Sequence, residues 1–90
     1  MLEQVKLALR IKTDVFDSEL FGLIEAAKQD LIRYGLKAEL FDAEPYAADI
    51  EVAIISYCKA RFGSSSDAER WEAIYQGEKT QLGVRTEYRG

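Results

Sequence analysis

Residues 18–34 read SELFGLIEAAKQDLIRY, and this stretch decides the fold class. Leu20, Ile24, Ala27 and Leu31 step by four, three and four. That spacing lines one stripe of an α-helix and no single face of a strand. Leu23 and Tyr34 widen the stripe, while Glu25, Lys28, Gln29 and Arg33 fall on the other side. Gly35 stands where a left-handed residue ends a helix, and Arg33 in the last turn opposes the helix dipole. Upstream, Asp17 or Ser18 is placed to cap the first turn after Phe16.

Working outward, the same period recurs on both sides. Leu2, Val5 and Leu9 form a stripe on a short N-terminal helix, which the segment Arg10-Ile11-Lys12-Thr13-Asp14 interrupts. A third helix is expected from about Tyr46 to Phe62, with Pro45 as an early helical residue and Gly63 as the stop. Its Ile50, Ala53, Ile54, Tyr57 and Phe62 make one broad face, and Val52, Ile55 and Cys58 fill much of the rest. A helix apolar on most sides is a central one. Between the second and third helices, GLKAELFDAEP reads as a loop with Leu40 and Phe41 tucked beneath it. The fourth helix opens with Ser66 and, three residues later, Glu69, the spacing of a capping box. Trp71, Ile74, Tyr75 and Leu82 continue its stripe. Gly77 weakens it by about 1 kcal/mol relative to alanine, and Gly83 ends it. Residues 85–90 read as a tail that orders only against a partner. The fold class is therefore all-α: a small bundle of three main helices plus a short N-terminal one, over residues 1–84.

Composition bounds the function. Ninety residues make one domain. A chain of this length buries only about 60–65% of its unfolded surface, so stabilisation by neighbouring subunits is useful to it. A net charge of −4 argues against a nucleic-acid coat. The absence of histidine removes His-based acid–base catalysis and His metal ligands. A single cysteine removes internal disulfides and multi-cysteine metal sites. No run approaches the length of a membrane span, the N-terminus lacks the features of a signal peptide, and one unpaired thiol fits a reducing compartment.

A search for chemistry finds little. Ser64, Ser65 and Ser66 precede a helix and match a phosphate cradle only in outline: one glycine and no following lysine leave a loop plus a cap as the better reading. Cys58 lies mid-helix on an apolar stretch with no activating base and reads as an inert core thiol. Glu39, Asp42, Glu44, Asp49 and Glu51 cluster, but lack the alternation and turn glycine of a calcium loop. They read as a solvated acidic face, the alternative being a surface that repels DNA or meets a basic partner. Trp71 sits on a helical stripe, which favours packing over base stacking. A helix-turn-helix is disfavoured because the third and fourth helices open with acids. No cofactor is expected.

The order of these features resembles a known family. The segment LRIKTDVFDSELFGLIEAAKQDLIRYG, then an acidic loop, then IEVAIISYCKARFG, then ERWEAIYQGEKTQL, is similar to the small head–tail connector proteins of tailed bacteriophages, also called head-completion or DNA-packaging proteins. The resemblance spans about residues 5–84 and is densest over Leu9–Ala27 and Ala53–Gly63. It implies a non-enzymatic, virion-located subunit of a phage or prophage. Such subunits form a homo-oligomeric ring of about a dozen copies that docks beneath the portal protein, meets a further connector or tail component, and lets DNA pass without specific binding. On that reading the candidate subunit-interface residues are Ile50, Ile54, Tyr57, Trp71 and Tyr75, and the candidate channel-facing acids are Glu39, Asp42 and Glu44. The alternatives are a small DNA-binding packaging or regulatory factor and, further off, a small enzyme.

Overall fold

The computed structural model describes residues 1–63 and 66–90. Its helices are α1 (Leu2–Leu9), α2 (Asp17–Tyr34), α3 (Ala48–Arg61) and α4 (Ala68–Gly83), with 3₁₀ turns at Ala38–Phe41 and Thr86–Tyr88. Among the described residues there is no strand, only an isolated bridge between Leu36 and Arg89. The chain is an all-α bundle.

The stripe quoted above is the core face of α2. Leu20, Ala27 and Leu31 have no exposed surface, and Ile24 has almost none. Facing it, α3 buries Ile50, Ala53, Ile54 and Cys58. Burying each large aliphatic side chain contributes about 1.5–3 kcal/mol. α3 packs against α1, α2 and α4, which makes it the central helix. Its solvent share is small, with Val52 the main apolar side chain left exposed.

α1 and α2 end in the same way. Gly35 N–H donates to the Ile32 carbonyl and Leu36 N–H to the Leu31 carbonyl. Arg10 N–H donates to Leu7 and Ile11 N–H to Lys6. Both are Schellman terminations, with the residue after the helix turned left-handed so that the last carbonyls find donors. Gly35 takes φ 127° without strain, whereas Arg10 takes φ 59° with a side chain attached.

Several helix boundaries differ from expectation. α2 starts at Asp17, with Phe16 rather than Asp17 or Ser18 in the cap position. The Phe16 ring instead packs edge-on against Phe62, centroids 5.3 Å apart. α3 starts at Ala48, so Pro45 lies in the loop, after a cis peptide bond, and Tyr46 folds back as a core residue. Its ring meets Phe41 edge-on at 5.9 Å, which anchors the 35–47 loop as the apolar pair in that loop suggested. α4 starts at Ala68 with Asp67, not Ser66, as its cap residue, so the Ser66–Glu69 capping box falls out of register. The phosphate-cradle reading lies partly outside the described residues, at positions 64 and 65.

The C-terminal segment is packed, not free. Tyr88 is buried and its hydroxyl donates to Asp49 Oδ1 at 3.0 Å. Lys37 N–H donates to the Tyr88 carbonyl and Gly90 N–H to the Gly35 carbonyl. Arg89 Nη1 donates to the Gly83 carbonyl at 2.7 Å. Polar letters made this stretch look like a tail, but one tyrosine and a set of backbone pairings hold it against the end of α2 and the start of α3.

Candidate assembly surface

The five residues expected at a subunit interface separate on folding. Ile50, Ile54 and Tyr75 have no exposed surface, so their side chains belong to the core of a single copy. Periodicity identifies a buried stripe but does not distinguish burial within a chain from burial between chains. Tyr57 and Trp71 are half-buried along the α3–α4 seam. There the Tyr57 ring meets the Tyr75 ring edge-on at 5.1 Å. The Arg61 guanidinium lies 3.7 Å over the Tyr57 centroid and pairs with Glu72 at 2.8 Å. Lys59 lies 4.2 Å over the Trp71 ring. Each aromatic thus carries a cation on its open face, contacts worth about 0.5–2 kcal/mol.

Beneath this seam, polar groups tie α4 to α2. The Tyr75 hydroxyl donates to Asp30 Oδ2 at 2.6 Å, and Lys79 Nζ reaches the same oxygen at 3.1 Å. Burial pushes the Tyr75 hydroxyl far above its ordinary range, and the neighbouring carboxylate adds to this. Burial also pushes Asp30 up, but the Tyr75 and Lys79 hydrogen bonds outweigh it and hold the carboxyl below its ordinary value. Burial pushes the Cys58 thiol on α3 up to about 12, so it has no thiolate character near neutrality.

The expected channel-facing acids Glu39, Asp42 and Glu44 are all exposed, on and just after the 38–41 turn. Glu44 pairs with the N-terminal ammonium of Met1. Asp49, from the same acidic run, turns away to bind Arg85 at 2.5 Å and Tyr88. Among the described residues no group of three or more His, Cys, Asp and Glu could hold a metal ion, and no helix is long and apolar enough to cross a membrane.

Among the described residues, apolar surface gathers at two places. One is a groove of about 600 Å³ between α3, the C-terminal half of α4 and the segment that follows. Val52, Ala73, Ile74, Gly77, Leu82 and Val84 line it, with Asp49, Glu78, Gln81 and Arg85 among them. The other is the α1–α2 corner, where Leu7 is 79%, Val15 80%, Phe21 59% and Phe16 40% exposed. Sequence reading missed both, because each brings together apolar residues from separate segments, and a helical stripe read on one segment does not show which others it meets. Exposed apolar surfaces of this kind are where one protein docks on another.

The family model described as "Phage connector protein" matches residues 1–89. The chain belongs to the phage connector protein family. Its role is accordingly that of a structural connector component of a bacteriophage, associated with other head and tail proteins. Comparison with curated proteins and with solved structures returns no match.

Proposed function

We propose that this phage connector protein is a subunit of a head–tail connector ring, docked beneath the portal and extending the DNA channel toward the tail. The observation that carries this reading is the family match over nearly the whole chain. Physical features support it. A 90-residue bundle that leaves four large apolar side chains exposed at one corner gains from burial against neighbours. An interface between different surfaces on like subunits closes into a ring when its rotation permits.

The acids give the ring its second property. Glu39, Asp42 and Glu44 project from one exposed loop of a chain with net charge −4. Turned to a lumen and repeated around a ring, they repel the phosphate backbone, so DNA slides past rather than binding. The protein works without a cofactor or an enzymatic step.

The test is reconstitution. The full chain is mixed with the portal protein of its own phage and followed by mass photometry and electron microscopy. A closed ring on the portal, its lumen lined by the 39–44 loop, is the expected result. A chain that never joins portal or tail components overturns the reading.

A further inference from the structure

We propose that the groove between α3 and α4 receives the α1–α2 corner of a second copy of this chain, head to tail. The proposal rests on the connector reading and assigns the surfaces that would form its ring.

Charge complementarity selects the occupant. Within the apolar groove, Glu78 keeps one carboxylate oxygen, Oε1, buried and, among the described residues, without a hydrogen-bond partner. A buried carboxylate oxygen without a donor is costly, and a cation brought by a partner relieves it. The corner carries such cations beside its apolar side chains. Arg10 and Lys12 are exposed and form no ion pair among the described residues. In sequence they lie between the exposed Leu7 and Val15. An apolar side chain followed by a cation is what an apolar groove holding a donor-less carboxylate accepts.

Two glycines point to the same pair of surfaces. Gly77 lies inside α4 on the groove wall, and Gly22 lies inside α2 beside Phe21. Among the described residues, a Cβ built on either meets nothing within 4 Å, and neither has a positive φ. Within one copy nothing requires glycine at these positions, although it weakens a helix interior. One falls in each proposed partner surface, where close approach of another chain supplies the reason.

The placement allows a chain to carry two neighbours at once. The Phe16–Phe62 contact puts the corner beside the C-terminal end of α3, whereas Asp49 and Val52 put the groove at its N-terminal end. The surfaces are different and lie at opposite ends of the central helix, so the association is heterologous and propagates.

Light scattering coupled to size exclusion, on the full chain over a wide concentration range, tests this. The wild-type mass is expected to rise with concentration. Val52→Glu in the groove and Leu7→Glu at the corner should each weaken association at least tenfold. Far-UV circular dichroism checks their fold, with Val84→Glu as a second groove variant. Mixing the two variants should yield a discrete dimer and nothing larger, because each retains one working surface. Glu78→Lys should weaken association, and its pairing with an Arg10→Glu, Lys12→Glu chain should recover part of it. Variants that assemble like wild type, or mixtures that form no dimer, overturn the proposal. So does a wild-type chain that stays monomeric in solution yet forms rings on the portal, a result that leaves the connector reading standing. Failure to join the portal at all overturns the connector reading instead.

Discussion

The Tyr75 hydroxyl donates a 2.6 Å hydrogen bond to Asp30 Oδ2, joining residues 45 positions apart on α4 and α2. The Tyr75 ring is fully buried, and Asp30 is shared with Lys79 at 3.1 Å. Removing the hydroxyl leaves the carboxylate with fewer donors in a partly buried place. A hydrogen bond to a charged group contributes about 1.5–3 kcal/mol. Tyr75→Phe is expected to lose that amount in chemical denaturation while keeping its helical circular dichroism. An unchanged midpoint would show that solvent replaces the hydroxyl.

The same pair sets a pH window. Asp30 titrates below its ordinary value of 3.8 when folded. Its stabilisation is therefore complete above that value and lost as pH falls through the lowered folded value. Tyr75 titrates above its ordinary 10.0, so its stabilisation is complete below pH 10 and lost as pH rises toward the raised folded value. Melting temperature should be level from pH 3.8 up to about 9, where the Cys58 thiol, also held above its ordinary value of 9.0, begins the alkaline loss. Asp30→Asn should flatten the acid limb without abolishing it, because Asp14, hydrogen-bonded to Lys6, is also held low. Tyr75→Phe should flatten the alkaline limb, with Cys58 and Tyr88 retaining part of it. Melts recorded from acid to alkaline pH on the three proteins check both signs.

What the sequence revealed follows from which interactions are local. Helical periodicity is local, so the α2 core stripe, the span of α1 and the central place of α3 were legible. Capping depends on which backbone group turns first, and aromatic packing of Phe16 and Tyr46 overrode the Asp17, Ser18 and Pro45 signals. The apolar groove and the Tyr88 anchor join residues more than 20 positions apart, and no spacing rule reaches that far. Ile50, Ile54 and Tyr75 were legible as apolar stripe residues, but the side of the core on which they fall is a tertiary property.

Two glycines on α4 should respond in opposite directions to the same substitution. Gly77 is exposed with open space around it, so Gly77→Ala gains helix propensity of about 0.5–1 kcal/mol. That corresponds to a melting-temperature rise of roughly 3–6 °C for a domain of this size. At Gly83 a Cβ would lie 2.6 Å from Tyr34 Cε2. Gly83→Ala must displace that half-exposed ring, which also holds Lys79 at 5.1 Å, and the lost cation–π contact should cost about 0.5–1 kcal/mol. Thermal melts of the two variants side by side separate a glycine the bundle needs from one it does not.

Cys58 is fully buried, and its thiol is pushed up to about 12. It should not react with a thiol reagent at neutral pH under native conditions, and should react stoichiometrically once denaturant unfolds the chain. Rapid native labelling would mean that α3 opens locally far more often than the whole bundle does.

The C-terminal segment offers the sharpest contrast between a tail and a structural element. Tyr88 is only 8% exposed, and Asp49 holds both its hydroxyl and Arg85. A free tail could be removed with no effect on a single copy. A packed one could not: Tyr88→Ala opens a cavity over the end of α2 and strips Asp49 of a donor. The expected loss is about 2–3 kcal/mol, toward the low end for a core aromatic because one ring edge meets solvent. Deleting residues 85–90 should lower the melting temperature at least as far, since it also removes the pairings of Lys37 and Gly35 with the backbone of 88–90. Tyr88→Phe separates the two contributions, keeping the ring and losing only the bond to Asp49. If the deletion leaves the melt of the isolated chain unchanged, the segment orders only in the assembled connector, and the Asp49 cluster belongs to assembly rather than to folding.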